Sequence, residues 1–320
     1  MKPAQPSRCT VYYTIFKWCI LIFSYGFLIY KICRIDNYEE LTSAFRNLNS
    51  SHFRWLLYVL LLLPLNWLLE ALKWQFLCRS FEKISLQTAI KSVLGGLTPG
   101  FISPNRIGEI VGRPLFLQHE NRASGALMTV ISGFSQTITI IACGIPAAVF
   151  FFFHAAPATH HEYKFYIYFC GFWLLFFLLI YVQLPNIAKW LSSKKITKSI
   201  HKELLLVSEL SLMQLLTALG YSLVRYAVFC LQFYFLLFFC QVYITPLQAL
   251  VAITLNYLFV TITPTISFSE AAVRASSAVF FIGFFSDNTL GIASAGILLW
   301  LINFITPMLV GSVFFAKTKV

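Results

Sequence analysis

The stretch TPGFISPNRIGEIVGRPLFL (residues 98–117) places polar and charged side chains in an otherwise apolar chain. Those side chains are Asn105, Arg106, Glu109 and Arg113, and they lie between Pro99 and Pro114. In water such a stretch is an ordinary surface loop. At membrane depth, ionisable side chains and irregular backbone need partners or a wet cavity. The fold therefore depends on which solvent surrounds this stretch.

The composition indicates that the solvent is a lipid bilayer. Of the 320 residues, 58% are hydrophobic and 11% are charged, whereas about a quarter of the residues in a soluble domain are charged. We predict an all-α polytopic membrane protein with a single membrane domain over residues 1–320. The net charge of +12 would favour nucleic acid in a soluble protein. Here it fits cytoplasmic loops and anionic headgroups, so no nucleic-acid partner is expected.

Six long apolar segments predict full transmembrane helices, because each has the roughly 20 residues that the hydrocarbon core requires. They are residues 11–32, 54–78, 123–152, 164–185, 211–240 and 289–316. Two further apolar segments, 86–118 and 247–285, are broken by Gly, Pro, Ser and charge. We interpret each as a re-entrant pair of half-helices that enters and leaves the membrane on the same side.

Loop charge supports the re-entrant interpretation. With six crossings and two re-entrant segments, the basic loops near 79–91, 119–122 and 189–202 all face the cytoplasm, as the positive-inside rule requires. If the broken segments crossed fully, the Lys-rich loop 189–202 would face outward. The expected location is the inner (cytoplasmic) cell membrane, with both termini cytoplasmic.

The two broken segments share a motif that predicts an internal repeat. Thr98-Pro99 precedes Glu109-Ile-Val-Gly-Arg113, and Thr263-Pro264 precedes Glu270-Ala-Ala-Val-Arg274. Residues 1–152 and 164–320 each follow the order span, span, broken segment, span. Three crossings per half would invert the second half relative to the first. Inverted repeats with discontinuous helices are typical of transporters.

The repeated motif supplies most of the candidate substrate-binding residues. They are Asn105, Arg106, Glu109, Arg113, Ser267, Glu270 and Arg274, with Arg225 from the fifth span. Arg matches phosphate with bidentate hydrogen bonds, and half-helix N-termini near Asn105 and Ser267 would add donors. Glu and Arg four residues apart can also pair with each other. The pairs therefore either bind a lipid phosphate or only join the broken helices.

Three further charges lie within spans. Arg225 needs a partner or a wet cavity, and either Glu70 or Glu270 could pair with it. Glu70 and Lys73 lie three residues apart near the cytoplasmic end of the second span. We expect these two to pair and to extend towards the membrane surface.

The sequence contains no catalytic or metal-binding motif that would indicate an enzyme. Its eight Cys residues form no CxxC pair and have no His at metal-ligand spacing. We therefore expect no catalytic residues, no metal and no cofactor.

The stretch LEALKWQFLCR (69–79), followed by residues 97–117, resembles the flippase-like transmembrane domain of lysylphosphatidylglycerol synthases and its stand-alone relatives. The matching residues are Pro104, Arg106, Gly108, Glu109 and Arg113, and further on Pro264, Ser267 and Glu270. Two features depart from the family: Ser267-Phe268-Ser269 stands where Gly is frequent, and residues 129–140 lack the family's charges. The chain ends at Val320 without the aminoacyl-transferase domain, so the resemblance implies no synthase activity.

The resemblance and the charge pattern together suggest a lipid flippase. The expected substrate is an anionic or modified phospholipid or a lipid-linked headgroup, and the expected partners are membrane lipids. An alternative is a non-transporting membrane partner of a lipid glycosyltransferase or synthase. A third hypothesis is a membrane transferase with Glu109 as base. An oligomer is compatible with all three.

Overall fold

The computed structural model describes residues 50–155, 160–264 and 267–317, which are helical without any strand. The predicted span 11–32 lies outside them. The α-helices are α1 (Ser50–Cys78), α2 (Leu86–Ile102), α3 (Gly108–Gly112), α4 (Arg122–Ala155), α5 (His160–Val182), α6 (Leu184–Ser192), α7 (His201–Ser208), α8 (Leu212–Phe239), α9 (Pro246–Ile262), α10 (Ser267–Ile282), α11 (Thr289–Trp300) and α12 (Thr306–Ala316). A π-helical turn, Leu301–Ile305, joins α11 to α12.

Four continuous helical segments are long and apolar enough to cross a membrane: His52–Cys78, His119–Phe153, Leu212–Phe239 and Thr289–Ala316. They confirm four of the predicted spans. The predicted span 164–185 corresponds to α5 and α6, which form a pair bent by 56°. Pro185 opens α6, and because proline lacks an N–H it interrupts the helical hydrogen bonds at the bend. The chain is therefore a membrane protein.

The first broken segment folds back on itself as a hairpin, here called hairpin 1 (residues 86–116). Ser85 caps the start of α2, where its hydroxyl accepts the Thr88 N–H. The Ser92 hydroxyl donates to the Arg113 carbonyl at 2.7 Å. A straight helix would separate residues 21 positions apart by roughly 30 Å, so the chain must reverse between them. The break at Ser103 falls inside the predicted segment.

The returning limb of hairpin 1 differs from the predicted half-helix. It consists of the five-residue α3 followed by a 3-10 turn over Arg113–Phe116. Glycine at 108 and 112 weakens helix formation, and Pro114 removes a backbone donor. Both glycines allow close packing, since a Cβ at Gly108 would overlap the Pro99 carbonyl and one at Gly112 would overlap the Pro99 ring.

The second broken segment forms hairpin 2 (α9 and α10). Thr245 and Gln248 make a capping box that starts α9, and α9 ends at Ile262, inside the predicted broken segment. The Ser277 hydroxyl donates to Asn256 Oδ1 at 2.5 Å, and the two helices pack on each other, so the chain turns back between them. Unlike hairpin 1, this segment has two regular helical limbs, so the predicted pair of half-helices describes it well.

The last span of each predicted half packs against the hairpin of the other half. Helix α12 packs on α2, where Gly311 lies against the Leu94 backbone. Helix α4 packs on α9, where Gly144 faces the Leu258 side chain. Helices α1 and α8 pack on each other between them. This exchange fits the predicted inverted repeat, which stays a prediction.

Replacing Gly311 tests the close contact between α12 and α2. A Cβ at this position would overlap the Leu94 carbonyl, so Gly311→Ala should lower stability by about 1–3 kcal/mol, as overpacking generally does. Thermal unfolding in detergent measures the change. The matched control is Gly171→Ala on α5, where a Cβ meets no atom within 4 Å and helix propensity alone favours Ala. Equal unfolding midpoints for the two variants would contradict the packing.

Candidate functional site

A cavity of about 500 Å³ lies where the two hairpins meet α1, α4 and α8. We call it the outer cavity. Its charged lining residues are Glu70, Lys73, Arg106, Glu109, Arg113, Arg225, Glu270 and Arg274. The fold thus brings together the two E-x-x-x-R motifs and the isolated Arg225. Five cations against three carboxylates leave two positive charges in excess on this lining.

Glu70 of α1 lies at the centre of the charged lining. One carboxylate oxygen accepts a hydrogen bond from Arg113 at 2.6 Å, and the other lies 2.9 Å from Arg225 and 3.0 Å from Lys73. The Ser132 hydroxyl donates to the same carboxylate at 3.2 Å. Three cations from α1, hairpin 1 and α8 therefore share one buried carboxylate.

The expectation that Glu70 and Lys73 extend to the membrane surface is wrong. Both side chains are buried, and Lys73 is only 1% exposed. The Lys73 ammonium donates to the Ser132 carbonyl and the Ser222 hydroxyl, both at 3.2 Å. The available sequence signal was the spacing of Asn66, Glu70 and Lys73, which places three polar residues on one helix face. Such a stripe in an apolar helix indicates an inward-facing site more strongly than nearness to the helix end indicates the surface.

The first motif forms the predicted ion pair and extends it in two directions. Arg113 donates to Glu109 at 2.8 Å as well as to Glu70, so it is held between two carboxylates. The other Glu109 oxygen lies 2.6 Å from Arg106 Nε. The Arg106 guanidinium also lies over the Phe304 ring, 4.5 Å from its centre, a favourable cation–π arrangement. Hairpin 1 is thereby tied both to α1 and to the last span.

The tip of hairpin 1 has a strained backbone. Asn105 and Arg106 both have positive φ, 48° and 60°, a region that non-glycine residues seldom adopt. Both residues line the outer cavity. The sequence predicts that backbone N–H groups at a half-helix N-terminus near Asn105 can bind an anion. One of them, the Gly108 N–H, instead donates to the Ser103 hydroxyl. Left-handed residues of this kind cluster at functional sites.

The second motif also forms its predicted pair. Glu270 Oε1 accepts from Arg274 Nε at 2.9 Å and from Arg274 Nη2 at 2.6 Å. Both residues line the outer cavity, and they form their ion pair with each other. Ser267 begins α10, and its side chain lies outside what the structure describes.

Arg225 of α8 has both the partner and the cavity that its position demands. Of the two predicted partners it pairs with Glu70, at 2.9 Å. Its Nε donates to Asn66 Oδ1 at 2.7 Å, and the guanidinium lies 5.0 Å from the centre of the Phe229 ring. Sequence reasoning did not identify Asn66 or Gln136, whose amide oxygens lie within reach of Arg225.

The outer cavity has an apolar rim beside its charged lining. Ile107 at the tip of hairpin 1 and Val130 on α4 both line the cavity and are exposed. Gly133 lies one helical turn from Val130, and a Cβ there would meet no atom within 4 Å. The cavity therefore opens between hairpin 1 and α4 past side chains that are compatible with lipid.

The model of a protein family described as lysylphosphatidylglycerol synthase TM region matches residues 18–311. The chain belongs to this family. The match to the lysylphosphatidylglycerol synthase TM region includes both hairpins and all the charged residues that line the outer cavity. It therefore agrees with the resemblance carried by the two E-x-x-x-R motifs. No curated protein and no solved structure matches the chain. The family points to a role connected with membrane lipid.

Replacing Glu70 tests its place at the centre of the charge network. Glu70→Gln leaves Lys73, Arg113 and Arg225 with less compensation, and breaking a buried pair typically removes about 3–5 kcal/mol of stability. Glu109→Gln should lower stability less, because Arg113 keeps Glu70. Adding Lys73→Gln to Glu70→Gln should restore part of the loss, since it removes one uncompensated cation.

Thermal unfolding of the purified protein in detergent measures these changes. Glu209→Gln is the control, because Glu209 is exposed at the end of α7. If Glu70→Gln lowered the unfolding midpoint no more than Glu209→Gln, Glu70 would not be the centre of the network.

Proposed function

We propose that the protein moves a phosphate-bearing lipid between the leaflets of the membrane. The observation that carries this proposal is the outer cavity, whose lining has two excess positive charges and comes from both hairpins. Charge of one sign inside a low-dielectric region attracts a ligand of the opposite sign. Among membrane lipids, that ligand is an anionic phosphate headgroup.

The arginines divide into two groups by how completely they are paired. Arg113 is buried between two carboxylates, so its role is to hold hairpin 1 in place. Arg106, Arg225 and Arg274 are 37%, 18% and 20% exposed, and they bind the phosphate in our proposal. The acyl chains leave the cavity past Ile107 and Val130 and remain in lipid.

We propose no enzymatic activity for this chain. Glu109, the one candidate base, lies within ion-pair distance of two arginines. One Glu109 oxygen contacts Arg106 and the other contacts Arg113, so neither is free to accept a proton from a substrate. A transferase that used Glu109 as base would first have to separate it from both.

In the proposed topology the protein lies in the inner (cytoplasmic) membrane, with both termini in the cytoplasm. The two hairpins are re-entrant from opposite faces of that membrane. Rocking one half against the other would then expose the cavity to each side in turn. The antiparallel contacts within each hairpin support this arrangement. The last span of each half packs against the hairpin of the other half, which supports the inverted repeat.

Labelling of single cysteines in a cysteine-free background tests the topology. Ser80→Cys and His119→Cys flank hairpin 1 and are exposed, so both should react with an impermeant thiol reagent only from the cytoplasmic side. Tyr243→Cys, exposed before α9, should react only from the opposite side. Labelling of Ser80→Cys and His119→Cys from different sides would mean that hairpin 1 crosses the membrane.

Gly133→Leu tests the outer cavity as the path of the lipid. The added side chain enters open space at the rim, so folding should be preserved while the headgroup is blocked. Lipid movement should fall about tenfold or more, which corresponds to about 1.4 kcal/mol of added barrier. The assay uses reconstituted vesicles and an acyl-labelled anionic phospholipid, with an impermeant reductant that quenches label in the outer leaflet.

The matched control is Gly171→Leu, which also places its side chain in open space but lies on α5, away from the cavity. Arg274→Gln should slow the anionic lipid, whereas Arg54→Gln, remote from the cavity, should not. Unchanged movement in Gly133→Leu would refute the proposed path. No movement by the wild type, together with stable co-purification of a lipid-modifying enzyme, would favour the non-transporting partner.

A further inference from the structure

A second cavity, of about 50 Å³, lies between the arginine side chains, α2 and the last span. We call it the inner chamber. Arg106, Arg113, Arg225 and Arg274 line both it and the outer cavity. Trp67, Trp300 and Asn303 line the inner chamber but not the outer cavity. The π-helical turn Leu301–Ile305 carries Asn303, and such turns are frequent at functional sites.

The inner chamber has buried hydrogen-bond donors without acceptors. Trp67 Nε1, Trp300 Nε1 and Asn303 Nδ2 have no hydrogen-bond partner among the residues that the structure describes. The same holds for Arg113 Nε. All four groups can only donate. An unsatisfied buried donor costs about 1–3 kcal/mol, so four around one chamber indicate a missing acceptor.

The orientation of the Asn303 amide follows from its neighbours. Arg225 Nε can only donate, so the Asn66 atom 2.7 Å away must be the oxygen. The Asn66 nitrogen therefore faces Asn303, whose oxygen accepts at 3.0 Å. The Asn303 nitrogen is left without an acceptor. Exchanging the oxygen and nitrogen of either amide would place two donors against each other.

We propose that the inner chamber binds one small monovalent anion of the halide type, such as chloride. Its volume of about 50 Å³ is a tenth of that of the outer cavity and exceeds the roughly 10–15 Å³ that one water needs, so it suits a small anion. A water would add donors of its own, whereas an anion only accepts. Glu70 is the one carboxylate among the described residues of the lining, and its charge is already shared by three cations.

The anion also accounts for the charge imbalance. The excess of two positive charges is costly in a low-dielectric interior unless counter-charge is present. An anion in the inner chamber lies beside the same four arginines that face the outer cavity, and so lowers this cost while the outer cavity is empty. The site does not depend on lipid movement, so it can be tested separately.

Halide binding to the full chain in detergent tests the proposal, with radioactive chloride as the probe at constant ionic strength. The wild type should bind one chloride per chain saturably, and bromide should compete. Combining Trp67→Phe with Trp300→Phe removes two donors but keeps aromatic rings. Its affinity should fall at least about tenfold, given the strength of hydrogen bonds to charged groups.

Trp74→Phe is the matched control, because Trp74 Nε1 is also buried and unpartnered but lines neither cavity. Its affinity should equal that of the wild type. Asn303→Asp keeps the side-chain shape and should abolish binding, since a carboxylate would repel the anion. Absence of saturable binding in the wild type, or an equal loss in Trp74→Phe, would overturn the proposal.

Discussion

A single buried carboxylate, Glu70, constrains the rest of the site. An unpaired ion in the interior costs several kcal/mol even after relaxation, so each cation that enters this region must reach a carboxylate. Lys73, Arg113 and Arg225 all reach Glu70, and they come from α1, hairpin 1 and α8. Because the three cations share one partner, separating hairpin 1 or α8 from α1 breaks at least one of these ion pairs. The position of hairpin 1 is therefore set by charge as much as by packing.

The same constraint links the two cavities. The lining of the outer cavity has five cations and three carboxylates, so two positive charges are uncompensated. The four arginines also line the inner chamber, so an anion is favoured in either cavity. A bound halide in the inner chamber and a lipid phosphate in the outer cavity would each compensate part of this positive charge. In the proposed cycle, a lipid that leaves removes negative charge from the outer cavity. An anion that stays behind the arginines reduces the change in electrostatic energy at that step.

The local parts of this arrangement could be predicted from the sequence, and the long-range parts could not. Glu109 with Arg113 and Glu270 with Arg274 pair because four residues make about one helical turn, and both breaks fall inside the predicted segments 86–118 and 247–285. The partnership of Glu70 with Arg113 crosses 43 positions, and that of Asn66 with Asn303 crosses 237. Apolar periodicity carries no information on such contacts. Depth along α1 suggested a surface position for Glu70, whereas its face on the helix placed it inside.

Arg106 is the member of the network that can most readily exchange partners. Its side chain is the most exposed of the described ion-paired residues, at 37%, and its positive φ places strain of about 1–3 kcal/mol at the tip of hairpin 1. If Arg106 leaves Glu109 for a lipid phosphate, Glu109 still has Arg113. The exchange therefore uncovers no buried charge. Arg113 is buried and bridges Glu70 and Glu109, so its departure would break two ion pairs. In the proposed function, the two arginines of this one short stretch thus have different roles: Arg113 holds the hairpin, and Arg106 meets the lipid phosphate.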